Sequence, residues 1–137
     1  SSFYPNFMAK EEYILRLSML QQEAEKIEEQ IKIINNQSAE FQALMQGVEK
    51  LGKTDEKEFL AHLGNGIFIK SDMKEKELFV NIGSKVLVKK TPEKACEIIS
   101  KQIKSMQEIK ESLLNELEEI SFQLQEVIRE AENSKEE

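Results

Sequence analysis

Two heptad repeats, one in each flank of the chain, constrain the fold more than any other feature of this sequence. In the first flank, apolar residues follow alternating steps of three and four positions without a slip. The positions of this seam are Leu17, Leu20, Ala24, Ile27, Ile31, Ile34, Ser38, Phe41, Met45 and Val48, and Ser38 is its one polar member. A repeat sustained over this many heptads is typical of a coiled coil.

The second flank carries the same pattern. Its seam consists of Ile99, Ile103, Met106, Lys110, Leu113, Leu117, Ile120, Leu124, Val127 and Ala131, with Lys110 as the one polar member. Ile109, Leu114 and Ile128 lie beside these positions and predict a wider apolar stripe. Thr91-Pro92-Glu93 predicts the start of the helix, with an N-cap, a proline at the first helical position and an acid in the first turn.

The two flanks match in length. Residues 8–50 and 92–134 each span 43 residues, so each helix would reach roughly 65 Å. All five glycines lie between Gly47 and Gly83, and neither flank has an internal proline. Two equal helices joined by a short middle predict an antiparallel helical hairpin.

The middle of the chain changes to short runs of β-branched and aromatic residues separated by turn residues. Four strands are predicted, at residues 59–63, 67–70, 78–82 and 86–89, and they form two β-hairpins. Because four such strands alone would leave open edges and an uncovered apolar face, we expect an oligomer assembled through this region. The expected oligomer contacts are Ile67, Ile69, Leu78, Val80, Ile82, Val86 and Val88.

The sequence thus predicts an α+β chain in three parts. These are an N-terminal coiled-coil arm at 1–52, two β-hairpins at 53–90, and a C-terminal coiled-coil arm with an acidic tail at 91–137. Residues 107–137 hold ten acidic and three basic residues, which accounts for the whole net charge of −7. We interpret this as a solvated acidic face, with a surface for a basic partner or a device against aggregation as the alternative. The acidic balance argues against nucleic-acid binding.

Residues that could carry chemistry are few. The chain has one histidine, His62, and one cysteine, Cys96, so we expect no catalytic, metal or cofactor site. We interpret His62 as a half-buried strand residue and Cys96 as a packed thiol. Gly64-Asn65-Gly66 is interpreted as a hairpin turn, since neither a dinucleotide-binding nor a phosphate-loop motif follows. With no long apolar run and no signal-peptide pattern, we expect a cytoplasmic protein without membrane association.

The start of the sequence is rich in aromatic residues. Phe3, Tyr4, Phe7 and Tyr13 are four of the nine aromatic residues in the chain, and Met8 and Ile14 lie among them. One interpretation is a mobile tail. The functional alternative is an apolar binding surface, because exposed apolar groups rimmed by charge commonly bind partners and methionine adapts to many of them.

Two runs in the middle carry a family resemblance. The runs LGNGIFIK at 63–70 and LFVNIGSKVLVKKTPEKA at 78–95 resemble the strand motifs of the alpha class of prefoldin. The resemblance implies a hexamer of alpha and beta subunits whose hairpins form a double β-barrel platform with coiled coils hanging from it. It also implies an ATP-independent chaperone that holds unfolded polypeptides at the tips of the coiled coils and passes them to a group II chaperonin.

The resemblance carries the client contacts over as a region. They are Phe3, Tyr4, Phe7, Met8, Tyr13 and Ile14 on one arm, and Phe122, Val127 and Ile128 on the other. The partner in assembly is a beta-class subunit or, in a homo-oligomer, the same chain. A structural coiled-coil scaffold without client transfer is the alternative function, and an enzyme is the least favoured.

Overall fold

The computed structural model describes the backbone of residues 3–136 and the side chains of residues 10–134. Along the chain, four short strands lie between two long helices. The elements are α1 Phe3–Lys53, β1 Glu58–Gly64, β2 Ile67–Asp72, β3 Leu78–Asn81, β4 Leu87–Lys90 and α2 Pro92–Glu136. This order confirms the predicted α+β class, with two long helices and two antiparallel β-hairpins.

The chain forms two compact units. One, here called the helical unit, contains the chain up to Gln37 and from Met106 onward. The other, the hairpin unit, runs from Ser38 to Ser105 and contains both β-hairpins together with the adjoining parts of α1 and α2. The hairpin unit is therefore larger than the 53–90 segment that the change of sequence period marks.

The helical unit is built on the heptad seam. Every predicted seam residue within it is buried or half-buried, and Ile27 and Ile120 are among the most enclosed. Nη1 of Arg16 lies 3.5 Å from Oε2 of Glu130. A residue near the start of α1 therefore lies beside a residue near the end of α2, and the two helical segments are antiparallel. The seam continues to Tyr13, which is half-buried.

The apolar residues beside the α2 seam are not covered by α1. Ile109, Leu114 and Ile128 are all exposed. The physical reason is that two helices packed by a heptad repeat cover only the narrow seam between them, whereas a broad stripe is buried only when a third element packs beside it.

The hairpin unit has a small core of its own. Val48 from α1 packs with Ala95, Ile99 and Ile103 from α2, and Leu78 of β3 is among the side chains packed against this cluster. Thr91 caps α2 as predicted, because its Oγ1 accepts a hydrogen bond of 3.2 Å from the backbone N–H of Lys94.

Each hairpin is a two-stranded antiparallel sheet. In the first, Leu60 pairs with Lys70 and His62 with Phe68, and the register shifts between His62 and Gly64. In the second, Val80 pairs with Val88. A two-stranded sheet is only marginally stable in water, so each hairpin requires packing against something else.

The turns of the two hairpins differ in residue choice. Gly64-Asn65-Gly66 has φ angles of +135°, +49° and +78°, which glycine and asparagine adopt at low cost. In the second turn Ser84 and Lys85 take φ values of +50° and +63°. The N–H of Val86 donates to the carbonyl of Gly83 at 2.9 Å, so this is a type I′ turn built from two residues that disfavour it.

Candidate functional site

The first candidate surface lies on the second hairpin, where the two faces of the sheet differ. Leu78, Val80 and Val88 lie on one face and are half-buried by their own chain. Phe79 and Leu87 lie on the other face and are 62% and 59% exposed. Alternation along the strands thus gives this hairpin one apolar face for its own helices and one that the chain leaves uncovered.

The first hairpin exposes more apolar residues than the second hairpin does on its uncovered face. It exposes Leu60, Leu63, Ile67, Phe68 and Ile69. Consecutive residues of one strand point to opposite faces, so Ile67, Phe68 and Ile69 place apolar side chains on both faces of this sheet. A patch of this kind is uncommon on a monomer and is typical of an interaction surface.

The expected oligomer contacts divide into two groups. Ile67, Ile69, Ile82 and Val86 are exposed and available to another chain. Leu78, Val80 and Val88 are half-buried within their own subunit. Sequence inspection missed Phe68, Phe79 and Leu87, although the signal was present, since apolar residues at adjacent strand positions predict apolar side chains on both faces.

The interpretation of His62 as half-buried was wrong. The imidazole is exposed, and its centroid lies 4.9 Å from that of Phe68, its cross-strand partner. This ring pair lies on the exposed surface of the first hairpin.

The second candidate surface lies on the helical unit, outside the seam. Met19 and Phe122 are 61% and 59% exposed, and Ile14, Leu15 and Ile128 are exposed as well. Sequence inspection missed Leu15 and Met19. The available signal was that both are apolar at heptad positions that a coiled coil normally fills with polar residues.

The remaining predicted client contacts fall elsewhere. Val127 is 2% exposed and lies in the seam. Tyr13 is half-buried as the first described seam residue. The helix α1 includes Phe3, Tyr4, Phe7 and Met8, but their side chains lie outside the described residues.

A shallow groove crosses the helical unit. It lies between residues 16–23 of α1 and residues 119–127 of α2, has a volume of about 360 Å³ and includes Met19, Leu20 and Phe122 in its lining. Charged side chains also line it, three of them carboxylates and one a guanidinium. The groove can therefore accept an apolar side chain next to a polar or charged one.

Cys96 packs against α1 in the hairpin unit, as predicted. Its Sγ lies 3.9 Å from the carbonyl oxygen of Met45. Desolvation by its surroundings, followed by the carboxylates of Glu49 and Glu93, raises the pKa of the thiol. A raised pKa disfavours the nucleophilic thiolate.

Among the residues that the structure describes, no group of three or more His, Cys, Asp or Glu side chains could hold a metal ion. Neither helix, over its described length, contains a stretch long and apolar enough to cross a membrane.

The chain is similar in sequence to the members of one protein family. A family model described as "Prefoldin subunit" matches residues 20–136. The chain is 30% identical to prefoldin subunit alpha of Archaeoglobus fulgidus over 122 residues, which cover 88% of this chain and 89% of the relative. It is also 30% identical to prefoldin subunit alpha of Methanobrevibacter smithii over 106 residues, which cover 77% of this chain and 73% of the relative.

A solved structure shows a similar fold. It is the cryo-EM structure of filamentous prefoldin (PFD) from Methanocaldococcus jannaschii, with a TM-score of 0.54 and 20% sequence identity. The superposition covers 90% of this chain and 98% of that chain.

Proposed function

This chain belongs to the prefoldin family, and from that premise we propose that it is a subunit of an ATP-independent holdase. Membership of the family makes it a chaperone-type subunit. The finer proposal is that it binds unfolded polypeptides at the tips of its coiled-coil arms and delivers them to a group II chaperonin. No catalytic step and no cofactor form part of this proposal, and the compartment we propose is the cytoplasm.

One observation carries the proposal of client binding. Ile14, Leu15 and Met19 of α1, with Phe122 and Ile128 of α2, are exposed outside the seam. These side chains stay largely exposed when the two helices pack, so they add little to the helix–helix contact that a scaffold requires. Apolar side chains of an unfolded polypeptide would gain roughly 25 cal/mol per Å² by covering them.

A second surface supports assembly. The exposed apolar residues of the hairpins supply the surface through which we propose that the subunit pairs with a beta-class subunit or with itself. Isolated two-stranded sheets are marginal, so joining their edges and faces to those of other subunits would stabilise them. The mass of the oligomer, measured by light scattering for the chain alone and mixed with a beta-class subunit, distinguishes the two assemblies.

Suppression of aggregation tests the holdase function. A chemically denatured client protein is diluted into buffer with stoichiometric amounts of the assembled chaperone, and turbidity is followed. We expect Met19→Ser combined with Phe122→Ser to weaken suppression several-fold with the oligomer mass unchanged. The matched control is Ile33→Ser combined with Ile109→Ser, which removes one exposed apolar side chain from each helix elsewhere in the unit.

Two outcomes would count against the proposal. Wild-type protein that fails to suppress aggregation, with or without a beta-class subunit, would leave the scaffold function as the explanation. Equal loss in the test and control pairs would show that exposed apolar area in general, rather than this surface, is responsible. Transfer is tested separately, by refolding yield after addition of a group II chaperonin with ATP.

The aromatic start of the chain has its own test. Deletion of residues 1–8 removes Phe3, Tyr4, Phe7 and Met8. We expect weaker client binding with intact assembly if these residues extend the apolar surface, and no effect on clients if the protein is only a scaffold.

A further inference from the structure

The groove on the helical unit combines an apolar floor with an acidic rim. Met19 and Phe122 present exposed apolar side chains there, and Leu20 and Val127 lie at the seam beneath them. A thioether and an aromatic ring adapt to apolar groups of different shapes. The floor can therefore bury a leucine, isoleucine or phenylalanine side chain without requiring one particular fit.

The charges around this floor do not cancel. The lining carboxylates are those of Glu23, Glu119 and Glu126. Arg16, the one lining cation, lies 3.5 Å from Glu130, which is outside the lining. Of the lining carboxylates, Glu126 is paired, since it lies 2.7 Å from Arg129. Glu23 and Glu119 make no ion pair among the side chains that the structure describes, and the groove keeps negative charge on both of its walls.

The rest of α2 strengthens this field. Residues 107–137 carry the entire net charge of the protein. A ligand that approaches the groove therefore meets negative potential before it meets the apolar floor, and such a field favours cations and repels anions.

We propose that the groove binds segments of unfolded polypeptide in which an apolar side chain is flanked by lysine or arginine. The inference rests on the proposed holdase function and specifies its client class. The apolar side chain packs on Met19 and Phe122, and the flanking cation lies next to the carboxylates of Glu23 and Glu119. A segment with the same apolar residue between acids is repelled by those carboxylates.

Three labelled peptides of equal length test the preference. They share the same apolar residues and differ only in the flanking residues, which are lysine, glutamine or glutamate. Binding to the assembled full-length chain is measured by fluorescence anisotropy at about 50 mM and about 500 mM salt. Because two exposed charge pairs are at stake, we expect the lysine peptide to bind about tenfold more tightly than the glutamate peptide at low salt. At high salt the screening length falls to roughly 4 Å and the difference should fall below about twofold.

A charge-neutralising pair of variants localises the effect. Glu23→Gln with Glu119→Gln keeps side-chain size and should reduce the lysine-to-glutamate ratio to about threefold or less. The control is Glu25→Gln with Glu118→Gln. It removes one exposed carboxylate from each helix at positions outside the groove, and the ratio should stay near its wild-type value.

The outcomes separate this inference from the function on which it rests. Equal binding of all three peptides, or an equal loss of preference in test and control pairs, overturns the charge preference and leaves the holdase function standing. Absence of peptide binding by a protein that still suppresses aggregation does the same. If wild-type protein binds neither peptides nor a denatured client, both proposals fail. A change in oligomer mass in Phe122→Ser would show that a second copy covers the groove, which also overturns the inference.

Discussion

The seam of the helical unit and the outer faces of the hairpins contain similar residues but differ in what covers them. Isoleucine, leucine and valine in the seam are buried or half-buried by the opposite helix of the same chain. Isoleucine, leucine and phenylalanine on the hairpins stay exposed in the single subunit. The difference indicates that the helices are stabilised within one chain, whereas the outer faces of the hairpins gain no such cover from their own chain.

A charge placed in the seam should have the largest effect on the stability of the subunit. Ile120→Asp buries a carboxylate at a position that is 5% exposed, whereas Ile109→Asp places one at a position that is 52% exposed. We expect the first to lower the free energy of unfolding by about 3–5 kcal/mol and the second by less than about 0.5 kcal/mol. Urea denaturation followed by circular dichroism measures both, and similar losses would contradict the seam as the stabilising contact.

A charge on the uncovered hairpin face should act on assembly instead. Leu87→Asp would leave an unpaired carboxylate in the proposed contact, and we expect about 2–3 kcal/mol of lost association energy, or a Kd raised roughly 30- to 150-fold. Leu87→Met is the conservative control. Oligomer mass is measured by light scattering together with helix content, and an oligomer of unchanged mass would count against the hairpin interface.

A charge on the opposite, half-buried face of the same hairpin should affect both assembly and the stability of the subunit. Val80→Asp and Val88→Asp change half-buried residues that pair with each other across the strands. We expect them to disturb assembly as well, but with an additional loss of subunit stability of about 1–3 kcal/mol that Leu87→Asp does not cause. If Leu87→Asp destabilises the isolated subunit equally, the two faces are not distinct.

The reactivity of the Cys96 thiol measures how tightly α2 packs against α1 in the hairpin unit, because its Sγ lies against the backbone of α1. The pKa of this thiol is higher in the folded chain than the ordinary thiol pKa of the unfolded chain. At a pH between these two values, the folded chain therefore keeps the proton that the unfolded chain releases. Stability from this group is present below the ordinary thiol pKa and is lost as the pH rises through the folded value. We expect the reaction with a thiol reagent at pH 8 to be slower than in urea-unfolded chain, and the difference to narrow at higher pH. Equal rates in both states would contradict the packing of Cys96 on α1.

The smallest expected effect concerns the strained turn. Ser84→Asn with Lys85→Gly supplies the residues that a type I′ turn favours, and we expect a gain of roughly 1 kcal/mol in stability. The midpoint of urea denaturation measures the gain. Gly66→Ala is the contrasting change, since it places a side chain at a φ of +78° and should destabilise the first hairpin.

The helices illustrate what could be predicted residue by residue. Every seam residue that the 3-4 spacing identified from Leu17 to Ala131 is buried or half-buried in the structure, because a heptad repeat admits one helix face only. The strands were predicted within two residues of their observed ends. Ile109, Leu114 and Ile128 stay exposed, because apolar character alone does not decide burial.

The candidate site was less predictable for the same reason. Val127 and Phe122 are both apolar and lie five positions apart, yet one is in the seam and the other is exposed. Heptad position separates them, and counting positions from the seam would have identified Met19 and Leu15 as exposed. The acidic rim of the groove could not be found this way, because it brings together Glu23 and Glu119 from opposite ends of the sequence.

The local structure of this protein follows from its amino-acid sequence alone. Periodicity of seven and periodicity of two are properties of consecutive residues, and they specify helices, strands and the faces that each presents. Only the tertiary structure decided which apolar faces the chain covers for itself and which it leaves open. That outcome depends on distances between residues far apart in sequence, such as the packing of Leu78 on the helix core while its neighbour Phe79 stays exposed.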